Sequence, residues 1–174
     1  MMLTDRHNER LKNLGITDVD IDACRLPAYE EATDLINCGK DLFGRPLRMT
    51  DITLQNWQHM FASAKQSNIT LQIVSAYRSI DYQCDLIQRK LASGRSIDDI
   101  LQVNAIPGYS EHHTGRALDI TTPGAEPLEE SFELTDAFAW LVDHAAAFNF
   151  AMSYPKSNNL GIAYEPWHWA CASR

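Results

Sequence analysis

The stretch SEHHTGRALDIT, residues 110–121, decides how this chain folds and where its chemistry lies. Its second half alternates small or polar residues with Leu118 and Ile120, a period of two that is typical of a β-strand. The alternation turns Leu118 and Ile120 toward a core and Asp119 toward the opposite face. Because an unpaired buried carboxylate is costly, we expect Asp119 to have a metal ion or an arginine as its partner.

The polar residues around this strand are of the types that hold a catalytic metal ion. His112 precedes Asp119, and late in the chain Glu165-Pro166-Trp167-His168 adds a second imidazole and a further carboxylate. Two imidazoles and one carboxylate can bind Zn²⁺ and leave a position open for water. A zinc-bound water has its pKa lowered to about 7, and Glu165 is a candidate for the base that takes its proton.

The imidazole next to the first candidate ligand leaves an alternative. His113 could be the ligand if the loop has a different register, although the spacing to Asp119 favours His112. The other histidines, His7, His59 and His144, are expected to be surface or satisfied core residues.

The bulk composition indicates one soluble globular domain. The 174 residues are 45% hydrophobic and 22% charged, and the net charge of −8 argues against nucleic acid and anionic membranes as partners. The N-terminus has no apolar segment typical of a signal peptide, and no stretch is long enough to span a membrane. The compartment stays open, because the sequence as written fits the cytoplasm whereas a cleaved leader would indicate export. The four cysteines are expected to be free thiols; a Cys24–Cys38 disulfide is an alternative only for an exported protein.

Periodicity and capping residues predict the elements. Helices are predicted over 29–42, from Thr50 or Asp51 to Asn68, from Ser79 to Gly94, from Ser96 through Leu101, and from Thr135 onward. Strands are predicted over 70–76, 116–121 and 150–154, followed by a polar loop over 155–161 and a closing strand pair or hairpin arm over 162–171. This order favours an α+β fold with a central antiparallel sheet flanked by helices. We expect residues 1–50 to be a helical extension packed on a catalytic domain over 51–174.

Three separated motifs resemble one known family. They are Tyr77-Arg78-Ser79, Ser110-x-His112-x-x-Gly115-x-Ala117-x-Asp119 and Glu165-x-Trp167-His168. In this order they are similar to the motifs of the VanY-type zinc D-alanyl-D-alanine carboxypeptidases, which group with D,D-dipeptidases, L,D-carboxypeptidases and phage endolysin peptidases. The resemblance implies the α+β fold that these enzymes share with the hedgehog signalling domain.

The resemblance also implies roles for individual residues. His112, Asp119 and His168 would bind one zinc ion, and Glu165 would be the catalytic base. Arg78 would stabilise the oxyanion or bind the substrate carboxylate. The residues that the resemblance implies as substrate contacts are Arg78, Gln83 and Ser110.

The implied activity is removal of the C-terminal D-alanine from peptidoglycan stem peptides. We expect the protein to be a monomer. D,D-dipeptidase, L,D-carboxypeptidase or endopeptidase action on the same substrates would use the same residues. A zinc-containing binding module without catalysis is the alternative outside the enzyme class. The family is mostly exported to the cell envelope, and many members carry basic residues where this chain has Ser153 and Ala170.

Overall fold

The computed structural model describes residues 3–172 and has two antiparallel sheets with helices packed around them. The helices are α1 (Asp5–Asn13), α2 (Asp18–Ala23), α3 (Asp51–Gln66), α4 (Ile80–Ala92), α5 (Ile97–Leu101) and α6 (Asp136–His144). The strands are β1 (Leu35–Lys40), β2 (Pro46–Thr50), β3 (Gln72–Ser75), β4 (Ala117–Thr121), β5 (Phe150–Met152) and β6 (His168–Cys171). Short 3-10 turns cover Glu111–Thr114, Glu130–Leu134 and Ala145–Phe148. The predicted α+β fold with an antiparallel sheet is confirmed.

The larger sheet has the strand order β3-β4-β6-β5, and every neighbouring pair is antiparallel. Leu118 and Ile120 of the inner strand β4 are fully buried among residues of α3 and α6 such as Met60 and Leu141. The opposite face of the same strand carries Asp119. The alternation that the sequence predicted for β4 therefore separates the core from the polar site.

The predicted helix starts are confirmed at hydroxyl caps. The side chains of Thr50, Ser79, Ser96 and Thr135 each accept a hydrogen bond from a backbone N–H in the first turn of α3, α4, α5 and α6. Such a bond satisfies one of the donors that a helix leaves unpaired at its start. The cap at Ser79 fixes where α4 begins, two residues after Arg78.

The helix predicted over 29–42 is wrong. Residues Leu35–Lys40 form β1, which pairs with β2 in a two-stranded antiparallel sheet. Ala32, Leu35 and Ile36 have helical spacing, but the run is short, and Gly39 has a φ of +101° that a helix excludes. Pairing with β2 leaves Ile36 38% exposed, so the apolar spacing did not mark a buried helix face.

The closing segment is less regular than the predicted strand pair over 162–171. Only His168–Cys171 forms a strand, and it pairs with both β4 and β5. Pro166 has no N–H to donate to a ladder, and the turn before β6 is closed by a bond from the His168 N–H to the Glu165 carbonyl at 3.1 Å. The strand predicted over 150–154 is confirmed in its first three residues, and 155–161 is a loop as predicted.

The N-terminal helices pack on a second, smaller core. Leu11 of α1 is buried with Ile80, Cys84 and Ile87 of α4 and with Ile100 of α5. Among the described residues, no helix is long and apolar enough to cross a membrane. All four cysteines are free thiols in the structure.

Candidate active site

Three potential metal ligands meet where β4, β6 and the turn before β4 come together. Asp119 and His168 are directly opposite each other in the β4–β6 register, and His112 lies in the 3-10 turn Glu111–Thr114. One ligand atom from each of the three side chains lies within 4.8 Å of the others, and all three residues are buried. Strand pairing thus joins residues that are far apart in sequence.

His112 presents a lone pair to this cluster. Its Nδ1 lies 2.6 Å from the Ala76 carbonyl, which can only accept, so Nδ1 carries the proton and Nε2 does not when the ring is neutral. Burial, followed by the charge of Arg78, lowers the pKa of His112 to about 4 and keeps the ring neutral. Nε2 is buried without a hydrogen-bond partner, 3.2 Å from Oδ2 of Asp119. Two acceptors that face each other without a proton fit a cation between them.

The carboxylate of Glu111, which is not one of the three potential ligands, orients the ring of His168. Its Nε2 lies 2.9 Å from Oε2 of Glu111, and its Nδ1 lies 3.2 Å from Oδ1 of Asp119. Burial opposes a charged ring, but the bonds to Asp119 and Glu111 raise the pKa of His168 to about 10. The two carboxylates therefore favour positive charge at this position. A histidine ligand whose other nitrogen donates to a carboxylate is a recurrent feature of metal sites.

Asp119 remains ionised although it is buried. Burial raises its pKa, but His112, His168 and Arg78 together hold that pKa well below the usual range of an aspartate. A buried carboxylate, a neutral imidazole and a second imidazole held by Glu111 form a donor set that suits Zn²⁺.

Glu165 lies beside the cluster on the turn before β6. Its Oε2 is 3.7 Å from Nδ1 of His168, and its backbone N–H donates to the Tyr154 carbonyl at 3.0 Å. Burial raises the pKa of Glu165 to about 7, against the opposing effect of His168. A carboxylate with such a pKa can both accept and release a proton near neutral pH.

Arg78 approaches the cluster from the loop between β3 and α4. Its guanidinium Nη2 lies 3.7 Å from Oδ2 of Asp119, and Nη1 donates to Oε1 of Gln83 at 3.4 Å. Gln83 is itself buried and donates to the Ala105 carbonyl at 3.0 Å. The Nε of Arg78 is buried without a partner among residues 3–172. Arg78 is therefore held in place while it retains donors for another ligand.

His113 does not join the metal cluster. Its Nδ1 donates to the Arg78 carbonyl at 2.7 Å, and its Nε2 accepts from the Gly108 N–H at 3.0 Å. Both ring nitrogens are satisfied, so His113 fixes the backbone on either side of the site. The structure thus separates the two neighbouring imidazoles into one that faces the cluster and one that is structural.

Two cavities open from the cluster, and both are lined by Arg78 and Glu165. The smaller has a volume of about 40 Å³ and includes Gln83, Ser110 and Tyr154 in its wall. The larger is a cleft of about 510 Å³ that reaches from Asp119 past Lys90 and Trp167. All three residues expected to contact substrate therefore line the smaller cavity.

The sequence analysis did not identify Glu111, Tyr154 or Lys90 as site residues. Glu111 stands next to His112 in the motif and could have been noticed as a carboxylate beside a ligand. The ring of Tyr154 packs on His168 with their centroids 4.7 Å apart. Lys90 lies on a helix with no motif of its own, so only the fold shows that it faces the cleft.

A buried His/Asp/His cluster with an adjacent glutamate on an antiparallel sheet is an arrangement typical of metal-dependent hydrolases. The model of the VanY family, described as D-alanyl-D-alanine carboxypeptidase, matches residues 46–173. This match covers most of the chain, which therefore belongs to the VanY family of D-alanyl-D-alanine carboxypeptidases.

Individual relatives agree with this membership. YodJ of Bacillus subtilis (strain 168) is 35% identical over 117 residues, which are 63% of this chain and 41% of YodJ. The chain thus spans less than half the length of this relative. The structure of the LD-carboxypeptidase LdcB is 31% identical, with a TM-score of 0.71 over 83% of this chain and 71% of LdcB.

A second solved structure shares the fold. It is a variant of the vancomycin-resistance D,D-pentapeptidase VanY in complex with Zn(II). It is 23% identical, with a TM-score of 0.64 over 82% of this chain and 80% of that one.

Proposed function

We propose that this chain is a zinc carboxypeptidase that removes the C-terminal D-alanine from peptidoglycan stem peptides. The observation that carries the proposal is the buried cluster of His112, Asp119 and His168 with Glu165 beside it, placed between a small cavity and a long cleft. Membership in the VanY family supports the substrate class.

One zinc ion would be held by His112 Nε2, a carboxylate oxygen of Asp119 and His168 Nδ1. The unpartnered Nε2 of His112 and the ionised Asp119 support this choice of atoms. When bound, zinc supplies Lewis acidity and a water of lowered pKa. The Zn(II) complex of the VanY variant shows that a protein of the same fold binds this metal.

Glu165 is the proposed general base. Its carboxylate takes a proton from the attacking water and delivers it to the amine of the departing D-alanine. The buried site excludes bulk water, which strengthens the interaction of Arg78 with negative charge on the substrate. Arg78, oriented by Gln83, would bind either the developing oxyanion or the terminal carboxylate.

The small cavity favours release of a single residue over release of a dipeptide. Gln83, Ser110 and Tyr154 line this cavity of about 40 Å³, whereas the cleft that shares Arg78 and Glu165 with it has a volume of about 510 Å³, more than ten times as large. A terminal D-alanine would occupy the small cavity, with the rest of the peptide in the cleft. L,D-carboxypeptidase action is the second candidate, because LdcB is 31% identical and bears that name.

The test is the variant Glu165→Ala compared with Glu126→Ala, which alters an exposed glutamate that lines neither cavity. Loss of the base should lower the rate of D-alanine release by about 10²–10⁴-fold, while metal analysis still finds zinc in the protein. Glu126→Ala should retain the full rate. Full activity of Glu165→Ala would show that Glu165 is not the base. Binding of stem peptide by zinc-loaded wild type without any hydrolysis would favour a binding module.

A further inference from the structure

The long cleft has two cationic side chains for which the proposed reaction supplies no role. Lys90 lies near the end of α4, Arg95 lies in the turn before α5, and both line the cleft that also contains Asp119 and Glu165. Among residues 3–172, neither side chain forms an ion pair with a carboxylate. In a chain with a net charge of −8, two unpaired cations in one cleft require an explanation.

Lys90 is held in place rather than free in solvent. It is half-buried, and its Nζ donates to Oδ1 of Asn104 at 2.9 Å. Asn104 is buried and donates in turn to the Ile100 carbonyl at 2.9 Å, which fixes the direction of its amide oxygen. An ammonium group has three donors, so this neutral partner leaves Lys90 able to bind an anion in the cleft.

The electrostatic surroundings of Lys90 agree with this view. Burial lowers the pKa of Lys90, the charges of Arg95 and Arg78 lower it further, and Glu165 opposes them. An ammonium group that is partly desolvated and repelled by two guanidinium groups gains from an added negative charge. The guanidinium of Arg95 is exposed and donates to the Asp99 carbonyl at 3.2 Å, which leaves it further donors.

We propose that Lys90 and Arg95 form a subsite for a carboxylate on the part of the peptide that precedes the scissile bond. The inference rests on the proposed function, because the small cavity beside Gln83 and Ser110 would take the terminal residue and direct the preceding residues into the cleft. The segment that precedes the scissile bond would therefore be acidic rather than neutral.

The remaining walls of the cleft define where that carboxylate lies. Glu129 and Glu130 line the same cleft and would repel a negative charge placed near them. The carboxylate is therefore confined to the wall formed by α4 and the turn to α5. Val103, Leu128 and Trp167 provide apolar surface for the uncharged parts of the peptide.

The experiment compares two synthetic peptides that both end in D-Ala-D-Ala. They differ only in one side group upstream of the scissile bond, which is a free carboxylate in one and a carboxamide in the other. Their dissociation constants are measured by calorimetry on zinc-loaded protein with the background change Glu165→Ala, so that binding is read without turnover. The carboxylate peptide should bind about tenfold more tightly, as a charge-assisted hydrogen bond requires.

Variants then test whether these two cations cause the preference. Lys90→Met and Arg95→Met together should abolish the preference, Arg95→Met alone should reduce it, and Lys90→Arg should preserve it because the charge remains. Arg89→Met is the matched control, since Arg89 lies on the same helix, is exposed and packs over Tyr82 at 5.5 Å instead of lining the cleft. Arg95→Met changes an exposed side chain, so its effect does not depend on folding of the double variant.

The outcomes separate this inference from the proposed function. Equal affinity for the two peptides, or a preference that survives in the double variant, overturns the carboxylate subsite even if zinc-loaded protein with Glu165 intact releases D-alanine. A preference that depends on Lys90, together with no hydrolysis of either peptide by zinc-loaded protein that retains Glu165, supports the subsite and contradicts the carboxypeptidase activity.

Discussion

The strand pair β4–β6 and the segment formed by residues 29–50 contribute to the candidate metal cluster in different ways. The strand pair places Asp119 and His168 opposite each other through its register. The segment contributes no residue to the cluster and contacts the loop that carries His112 through backbone hydrogen bonds and through the side chains of Tyr29 and Leu35. The side chains of Asp119 and His168 lie on strands, and the sequence predicted the alternation of β4 correctly. The segment that supports the loop was predicted to contain a helix and contains strand β1 instead.

The backbone contacts of residues 29–50 form a series along the loop. The N–H groups of Tyr29, Ala32 and Thr50 donate to the carbonyls of Gly108, His113 and Gly115 at 2.8, 2.8 and 3.1 Å. Glu31 accepts from the N–H of Ile80 at 2.5 Å and so also reaches the start of α4. The boundary at residue 50 between an extension and a catalytic domain stays a prediction, and these bonds tie the segment closely to the site.

The largest effect should come from the strand pair. Asp119→Asn removes the proposed anionic ligand of the cluster, and we expect zinc affinity to fall by more than about 100-fold, beyond the range for residues that only support ligands. Competition with a chromogenic chelator measures the affinity. Asp143→Asn on the exposed side of α6 is the control and should leave the affinity unchanged. Unaltered zinc binding by Asp119→Asn would remove β4 from the metal site.

A smaller effect is expected at the carboxylate that orients His168. Glu111→Gln weakens the bond to Nε2 of His168 and should lower zinc affinity by about 10–100-fold. The hydroxyl of Tyr29 lies 3.4 Å from Oε1 of Glu111, so Tyr29→Phe should lower the affinity less than Glu111→Gln. The same chelator competition ranks the two variants, and the reverse order would mean that the segment matters more than the carboxylate.

The contact between the hairpin and the ligand loop is tested at Gly115. Gly115 has a φ of +65°, and a Cβ there would lie 2.7 Å from Cδ2 of Leu35 in β1. Gly115→Ala should therefore destabilise the fold by about 1–3 kcal/mol in urea unfolding. Adding Leu35→Ala should remove the clash and recover the stability lost through it. The stability lost through the positive φ should not be recovered. If the effects of the two substitutions on the free energy of unfolding are additive, Leu35 of the hairpin does not make a close contact with this loop.

The smallest effect is expected at the contact of α1 with α4, far from the ligands. The hydrogen bond from Arg10 lowers the pKa of Asp81 below its ordinary value of 3.8. Because the folded pKa is depressed, the contact contributes stability above pH 3.8 and loses it as pH falls through the lower, folded value. Asp81→Asn should therefore lower the urea midpoint slightly at pH 7 and by less at pH 3. An effect that grows toward low pH would contradict this assignment.

Sequence patterns predicted strand β4, the two faces of its side chains and the starts of the helices, because each of these depends on residues close together in the chain. The alternation in β4 needs only residues 117–121, and hydroxyl caps at Thr50 and Ser79 mark helix starts within one turn. Residue chemistry suggested that His112, Asp119 and His168 form one donor set, and the resemblance to the VanY family implied the same grouping. The structure brings these three side chains together.

The parts that sequence reasoning missed depend on long-range contacts. The helix predicted over 29–42 rested on three apolar residues, whereas the strand found there is set by pairing with β2 and by Gly39. Lys90 faces the cleft only because α4 packs as it does, and Glu111 reaches His168 only because β6 pairs with β4. Such relations leave no periodic signal in one sequence.

The central claim is that the cluster and Glu165 release one D-alanine from a stem peptide when zinc is bound. The most direct measurement is mass spectrometry of a pentapeptide ending in D-Ala-D-Ala after incubation with zinc-loaded protein, with chelator-treated protein, and with treated protein to which zinc has been restored. The account predicts loss of a single alanine with the first and third samples and an intact peptide with the second. Loss of an alanine that persists in the chelator-treated sample, or an intact peptide in all three, would contradict it.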